Sequence, residues 1–199
     1  MTFVPDYEAQ VQEAFPTLDS IESGDLRDRV VEAWTIGLES GGWREVTDIP
    51  YAWNIDEVST VEHVHGVATI AVELAAQQRT LHGADPDLDA VLAAALLHDV
   101  GKCYEYTVYV DDGRLLDPDP TYAGDVIPHS LSSYALAHEV GCPISVQRAI
   151  PHVIGEIPQR TTEAELVTQA NAASSNAITQ ATMGITLGEW IDEYSQTSG

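Results

Sequence analysis

The chain has 199 residues, 8 Lys plus Arg against 32 Asp plus Glu, a formal net charge of −24 and 44% hydrophobic residues. That length and apolar content support one full-sized core without staples and exclude a disordered acidic tail. The charge repels phosphate backbones and anionic lipid, which excludes non-specific nucleic-acid and membrane binding, and no apolar run reaches the roughly 18 residues of a membrane span.

The first residues lack the basic-then-apolar layout of a signal peptide, and Cys103 and Cys142 form no CxxC pair. The expectation is a soluble, cytoplasmic protein with neither a disulfide framework nor a thiolate zinc site. Seven arginines accompany a single lysine, Lys102, and the carboxylates are spread along the whole chain. A salt-rich cytoplasm predicts this pattern, because screening removes self-repulsion while carboxylates keep the surface hydrated. The alternative is an ordinary acidic protein that needs divalent cations or a partner.

In chain order, helical spacing and punctuation predict a first helix over Gly24 to Ser40, stopped by Gly41-Gly42, and a second from Ser59 to His82-Gly83. A third runs from Asp87 to Val100 and stops at Gly101. Tyr104, Tyr106, Val108 and Val110 then alternate as a strand, and Asp111-Asp112-Gly113 turns the chain back through Leu115 and Leu116 as a small hairpin. A fourth helix spans Ser130 to Val140, a fifth Pro143 to about Val153. A sixth begins at the Thr162-x-x-Glu165 capping box and passes Ile178. The fold class is an all-α bundle with a β-hairpin excursion. As one domain, it has a helical lead-in over 1–54, a core over 55–180 with the hairpin at about 104–125, and a tail over 181–199.

The seven histidines separate by helical face. His63 shares the most apolar stripe of its helix with Val67, Ile70 and Leu74, opposite Glu62, Thr69, Glu73 and Gln77, whereas His65 lies on the flank. His82 and His138 fall in last turns, where an imidazolium complements the helix terminus. His98-Asp99 closes the third helix, and Asp99 shares its apolar stripe with Leu88, Leu92 and Ala95. An inward carboxylate is costly unless it is paired or bound to a cation. An imidazole beside it offers a nitrogen for a divalent metal, with carboxylate oxygens that can bridge to another. Lys102, within one turn, supplies a compact cation for substrate oxygens.

The run Ala-Leu-Leu-His98-Asp99-Val-Gly-Lys102 resembles the signature of the HD-domain superfamily of metal-dependent phosphohydrolases. Val61-Glu62-His63 with Val67-Ala68 resembles its first-histidine helix. His129 with Ala135-Leu136-Ala137 and Gly141-x-Pro143 resembles its third, and His152 after Ala149-Ile150 its fourth. Arg160-Thr-Thr-Glu-Ala164 leading into Val167-Thr-Gln-Ala-Asn171 resembles the helix that carries the last aspartate. The similarity covers Ser59 to Ile178. It departs at Asn171, on the stripe with Val167, Ser174 and Ile178, where the family has aspartate; a neutral carbonyl ligates a hard cation without adding charge. Pro151, directly before His152, is expected to end the fifth helix early.

The resemblance implies one metal held by His63, His98, Asp99 and Asn171 and a second by Asp99, His129 and His152. A metal-activated hydroxide would attack a small phosphomonoester or cyclic phosphodiester of nucleotide-like kind, with Asp99 and Lys102 catalytic. Lys102 and Arg148 are the candidate substrate-binding residues. The nitrogen and oxygen donors suit one or two ions of Mn²⁺, Fe²⁺, Co²⁺ or Ni²⁺ better than structural Zn²⁺. The expected partner is a small phosphorylated substrate, with no nucleic acid and no membrane. The oligomeric state stays open. Two other readings remain: a catalytically impaired nucleotide- or metal-binding module, and an HD-fold di-iron oxygenase. Trp34, Trp43, Tyr51 and Trp53 are expected chiefly as packing, with a pocket mouth as the alternative.

Overall fold

The computed structural model describes residues 5–52, 54–107, 110–111, 114–115, 119–120, 127–150 and 161–197. His152, Pro151, Arg160 and Trp53 lie outside the described residues, as does the turn at Asp112-Gly113.

Helix α1 (Tyr7–Ala14) starts under an Asp6 cap, a helix absent from the sequence expectation. A 3₁₀ turn at Pro16–Ser20 leads to α2 (Gly24–Gly41), which is capped by Ser23 and closed by Gly42 in the left-handed region at φ 74°. β1 (Pro50–Ala52) and β2 (Ile55–Ser59) form a short antiparallel ladder with an irregular register, also absent from the expectation. Helix α3 (Thr60–His82) begins with a complete capping box, in which Ser59 and Glu62 bond each other's backbone N–H groups.

Helix α4 (Leu88–Leu97) reads LDAVLAAALL, and every residue from Ala90 to Leu97 is buried. A helix without a polar face must be covered all round. Here α2, α3, α7 (Ile144–Ala149) and α8 (Thr162–Met183) supply the cover. The helix ends at Leu97, earlier than expected; Val100 N–H bonds the Leu97 carbonyl and Lys102 N–H the Asp99 carbonyl as the chain tightens. The short helix α5 (Lys102–Glu105) follows, so Tyr104 is helical rather than the first residue of a strand. β3 (Tyr106–Thr107) pairs with β6 (Asp119–Pro120), and β4 (Val110–Asp111) with β5 (Arg114–Leu115), all antiparallel. These pairs place the expected hairpin.

Helix α6 (His129–Glu139) packs on α2 and α5. Beyond α8 and Gly184, which has φ 72°, the stretch expected as a tail forms α9 (Leu187–Thr197). The main core holds Trp34 and Trp43, whose indole N–H groups donate to the Leu96 and Cys103 carbonyls. Both therefore serve packing. A separate apolar cluster of Tyr51, Ala52 and Ile55 packs with Val58, Ile178 and Trp190, joining the β1–β2 ladder to α8 and α9. No helix among the described residues is long and apolar enough to cross a membrane.

Candidate metal centre

His63 lies one turn into α3 on the stripe that faces α4, and it is buried at 1% exposure. His98 caps the C-terminal end of α4, and Asp99 follows in the tightening turn; both are buried. Three of their donor atoms, one from each of His63, His98 and Asp99, lie within 4.8 Å of one another. His63 Nε2 is 3.3 Å from His98 Nε2 and 3.6 Å from Asp99 Oδ2, and His98 Nε2 is 3.6 Å from Asp99 Oδ1. Donors sharing an ion at about 2.1 Å stand about 3.0–3.4 Å apart, so the cluster is a slightly open coordination polyhedron. These residues fit a divalent ion.

His129, the first residue of α6, brings its Nε2 to 3.3 Å from Asp99 Oδ1. Its position depends on Gly101. A methyl group there would run into the His129 backbone carbonyl, and the Gly101 N–H donates to Ser133 Oγ at 2.8 Å. Only a residue without a side chain allows α6 to start against the end of α4.

Each imidazole is fixed from behind through Nδ1. His98 Nδ1 donates to the Ala95 carbonyl at 2.7 Å, His63 Nδ1 meets Ser174 Oγ at 3.1 Å, and His129 Nδ1 pairs with Glu105 Oε2 at 2.6 Å. With Nδ1 occupied, all three Nε2 atoms point at the Asp99 carboxylate. Outer partners that select the tautomer and aim the ring in this way are characteristic of metal-ligating histidine.

The electrostatics follow from burial. Desolvation pushes His63 down to about 3, against the pull of Asp99, and lowers His98 as well, so both rings stay neutral and available as ligands. Burial alone would raise the Asp99 carboxyl. Instead the combined influence of His98, Lys102 and His129 holds it well below the ordinary carboxylate range. For His129, Asp99 and Glu105 outweigh desolvation and lift the metal-free imidazole to about 9.

Lys102 is buried, with Nζ 2.9 Å from Asp99 Oδ2 and 2.5 Å from the Tyr51 carbonyl, above the Tyr51 ring at 4.6 Å. It lines the cavity, and its ammonium is turned onto the Asp99 carboxylate. Asn171 lines the same cavity and bonds His63. Arg148 is exposed on α7 and is not among the lining residues. His138 stacks on Tyr134 and meets Gln147 Oε1 at 3.2 Å, away from the cluster.

His63, Asp99 and His129 line a cavity of about 380 Å³, with His98 buried behind them. Its lining includes Tyr51, Glu105, Thr168, Ser175, Leu187, Trp190 and Ile191, none of which the sequence reading assigned to the centre. Glu105 was hidden by the strand reading of Tyr104 and Tyr106. Its spacing of three from Lys102 is the signal that would have found it.

A family model of the HD domain matches residues 60–175. No curated protein and no solved structure matches the chain.

Proposed function

Because the chain belongs to the HD-domain family of metal-dependent phosphohydrolases, we propose that it hydrolyses a small phosphomonoester or cyclic phosphodiester, with His63, His98 and Asp99 as the primary metal ligands. The observation that carries this reading is the convergence of three Nδ1-anchored imidazoles on one buried carboxylate. When bound, a divalent ion supplies Lewis-acid charge for phosphoryl oxygens and lowers the pKa of water towards neutrality.

The chain's own residues do the rest. Asp99 presents one oxygen towards His98 and His129 and the other towards His63 and Lys102, so its two lone-pair faces serve two sides of the centre. Asn171 adds a neutral carbonyl next to His63, and the side of His129 offers a further donor set with Asp99. Lys102 keeps Asp99 ionised and places positive charge where non-bridging oxygens would lie. Glu105 holds the His129 ring in line. Mn²⁺, Fe²⁺, Co²⁺ or Ni²⁺ suits these donors, which contain no sulfur.

The test is phosphate release from a panel of phosphomonoesters and cyclic phosphodiesters by chelator-stripped protein reloaded with each ion. Turnover that is lost on chelation and absent from the His98→Ala, Asp99→Ala double variant supports the reading. Tight ligand binding without turnover under every ion would make the chain a binding module, and substrate-dependent oxygen uptake would make it an oxygenase.

A further inference from the structure

Asn171 stands where the HD family carries aspartate, and the exchange turns an acceptor-only carboxylate into a group with two N–H donors. It lies on the face of α8 made by Thr168, Asn171, Ala172 and Ser175, all of which line the cavity. Spacings of three, four and seven keep these side chains on one stripe.

The two ends of the Asn171 carboxamide face different ways. Its bond to His63 favours the protonated ring, so the partner there is the carbonyl oxygen, an acceptor. The amide nitrogen sits on the same carbon and points in another direction. Its N–H groups bond no described residue, and the half-buried side chain leaves the nitrogen unsealed from the cavity.

Neighbouring polar groups of the lining are already engaged. Thr168 Oγ1 donates to the Ala164 carbonyl at 2.8 Å, and Ser175 bonds Tyr51. The Lys102 ammonium is held by Asp99 and the Tyr51 carbonyl. Asn171 keeps its N–H donors open to the cavity. Charge favours the same assignment. Asp99 and Glu105 already place two carboxylates in the lining. A third at position 171 would repel a phosphoryl group, whereas a carboxamide can donate to it.

We infer that Asn171 is a substrate-binding residue: its carbonyl oxygen serves the His63 side of the centre, and its N–H groups donate to a non-bridging oxygen of the phosphoryl group. Asparagine in place of aspartate thus trades metal affinity for affinity towards a phosphate anion. This rests on the phosphohydrolase reading above.

The test is calorimetric titration of Mn²⁺ into the metal-free protein and of methylphosphonate into the Mn²⁺-saturated protein, for the wild type, Asn171→Ala and Asn171→Asp. Loss of a hydrogen bond to a charged group predicts that Asn171→Ala binds methylphosphonate at least about tenfold more weakly. Asn171→Asp, of the same size, should weaken it at least as much while binding Mn²⁺ more tightly than the wild type, because it adds a charged oxygen ligand. A merely structural role would not move the two affinities in opposite directions. Wild-type methylphosphonate affinity in either variant, or an Asn171→Asp variant that weakens Mn²⁺ and methylphosphonate together, overturns the donor role while the phosphohydrolase reading stands. Failure of methylphosphonate to bind the Mn²⁺-saturated wild type overturns that reading, and the donor role with it.

Discussion

Glu105 Oε2 lies 2.6 Å from His129 Nδ1, on the far side of the ring from the Nε2 atom that faces Asp99. The carboxylate both aims this imidazole and raises its basicity. Outer partners of this kind change metal affinity by about 10- to 100-fold when removed. Glu105→Gln, which keeps the shape and loses the charge, is expected to weaken the ion bound at the His129 side by at least about tenfold. In the metal-free protein the His129 pKa should fall from its raised value. Metal titration and histidine NMR titration check the two effects.

Lys102 and Asp99 form a buried pair 2.9 Å apart. Removing one partner of such a pair leaves an uncompensated charge and costs about 3–5 kcal/mol. Lys102→Met is expected to destabilise the metal-free protein by about 3 kcal/mol, and a bound divalent ion should restore part of the loss by giving Asp99 a new partner. Urea unfolding with chelator and with Mn²⁺ measures both. Equal losses under the two conditions would place Asp99 outside the metal's reach. Lys102→Arg is not a neutral exchange either, since a planar guanidinium does not fit where Nζ meets the Tyr51 carbonyl.

The pH dependence of the metal-free protein has opposing limbs. His63 is lowered from 6.5 to about 3, so its contribution is complete above pH 6.5 and is lost as pH falls towards 3. Asp99, also depressed, deepens the loss at the acid end. His129 is raised from 6.5 to about 9, so its contribution is complete below pH 6.5 and is lost as pH rises through 9. Stability measured with chelator in high salt should therefore peak near pH 6.5. A profile that keeps rising from pH 6.5 to 9 would contradict the His129 assignment.

Gly101 has an ordinary helical backbone, φ −64°, so only its lack of a side chain matters. Gly101→Ala pushes the His129 carbonyl, and the start of α6 with it, away from Asp99. Overpacking of this kind costs about 1–3 kcal/mol, with the upper end expected because backbone rather than a flexible side chain must move. The variant should also lose affinity for the ion nearest His129, whereas Gly24→Ala, where an added methyl meets nothing within 4 Å, should not.

Much of this arrangement was legible in the sequence. The apolar stripe of Val67, Ile70 and Leu74, and the resemblance carried by Val61-Glu62-His63, selected His63 over His65, and His65 is indeed less buried. The unbroken apolar run of α4 made an inward His98-Asp99 unavoidable. Ser174 shared the stripe of Asn171, yet its role behind His63 was not visible, because a hydroxyl's partner depends on how α3 and α8 approach each other. Glu105 was lost to a misread period, since four residues are too few to show helical spacing. Tyr51 contributes a backbone carbonyl to Lys102, an interaction that carries no residue signature. α9 was legible and overlooked: Thr186-x-x-Glu189 is a capping box leading into Leu187, Trp190 and Ile191.

The most direct test of the metal centre is elemental analysis of protein purified anaerobically in high salt without chelating resin, alongside the His98→Ala, Asp99→Ala double variant. The centre described here predicts one to two transition-metal ions per wild-type chain and none in the double variant. Equal metal in both proteins, or none in the wild type even after soaking with Mn²⁺ or Fe²⁺, would contradict it.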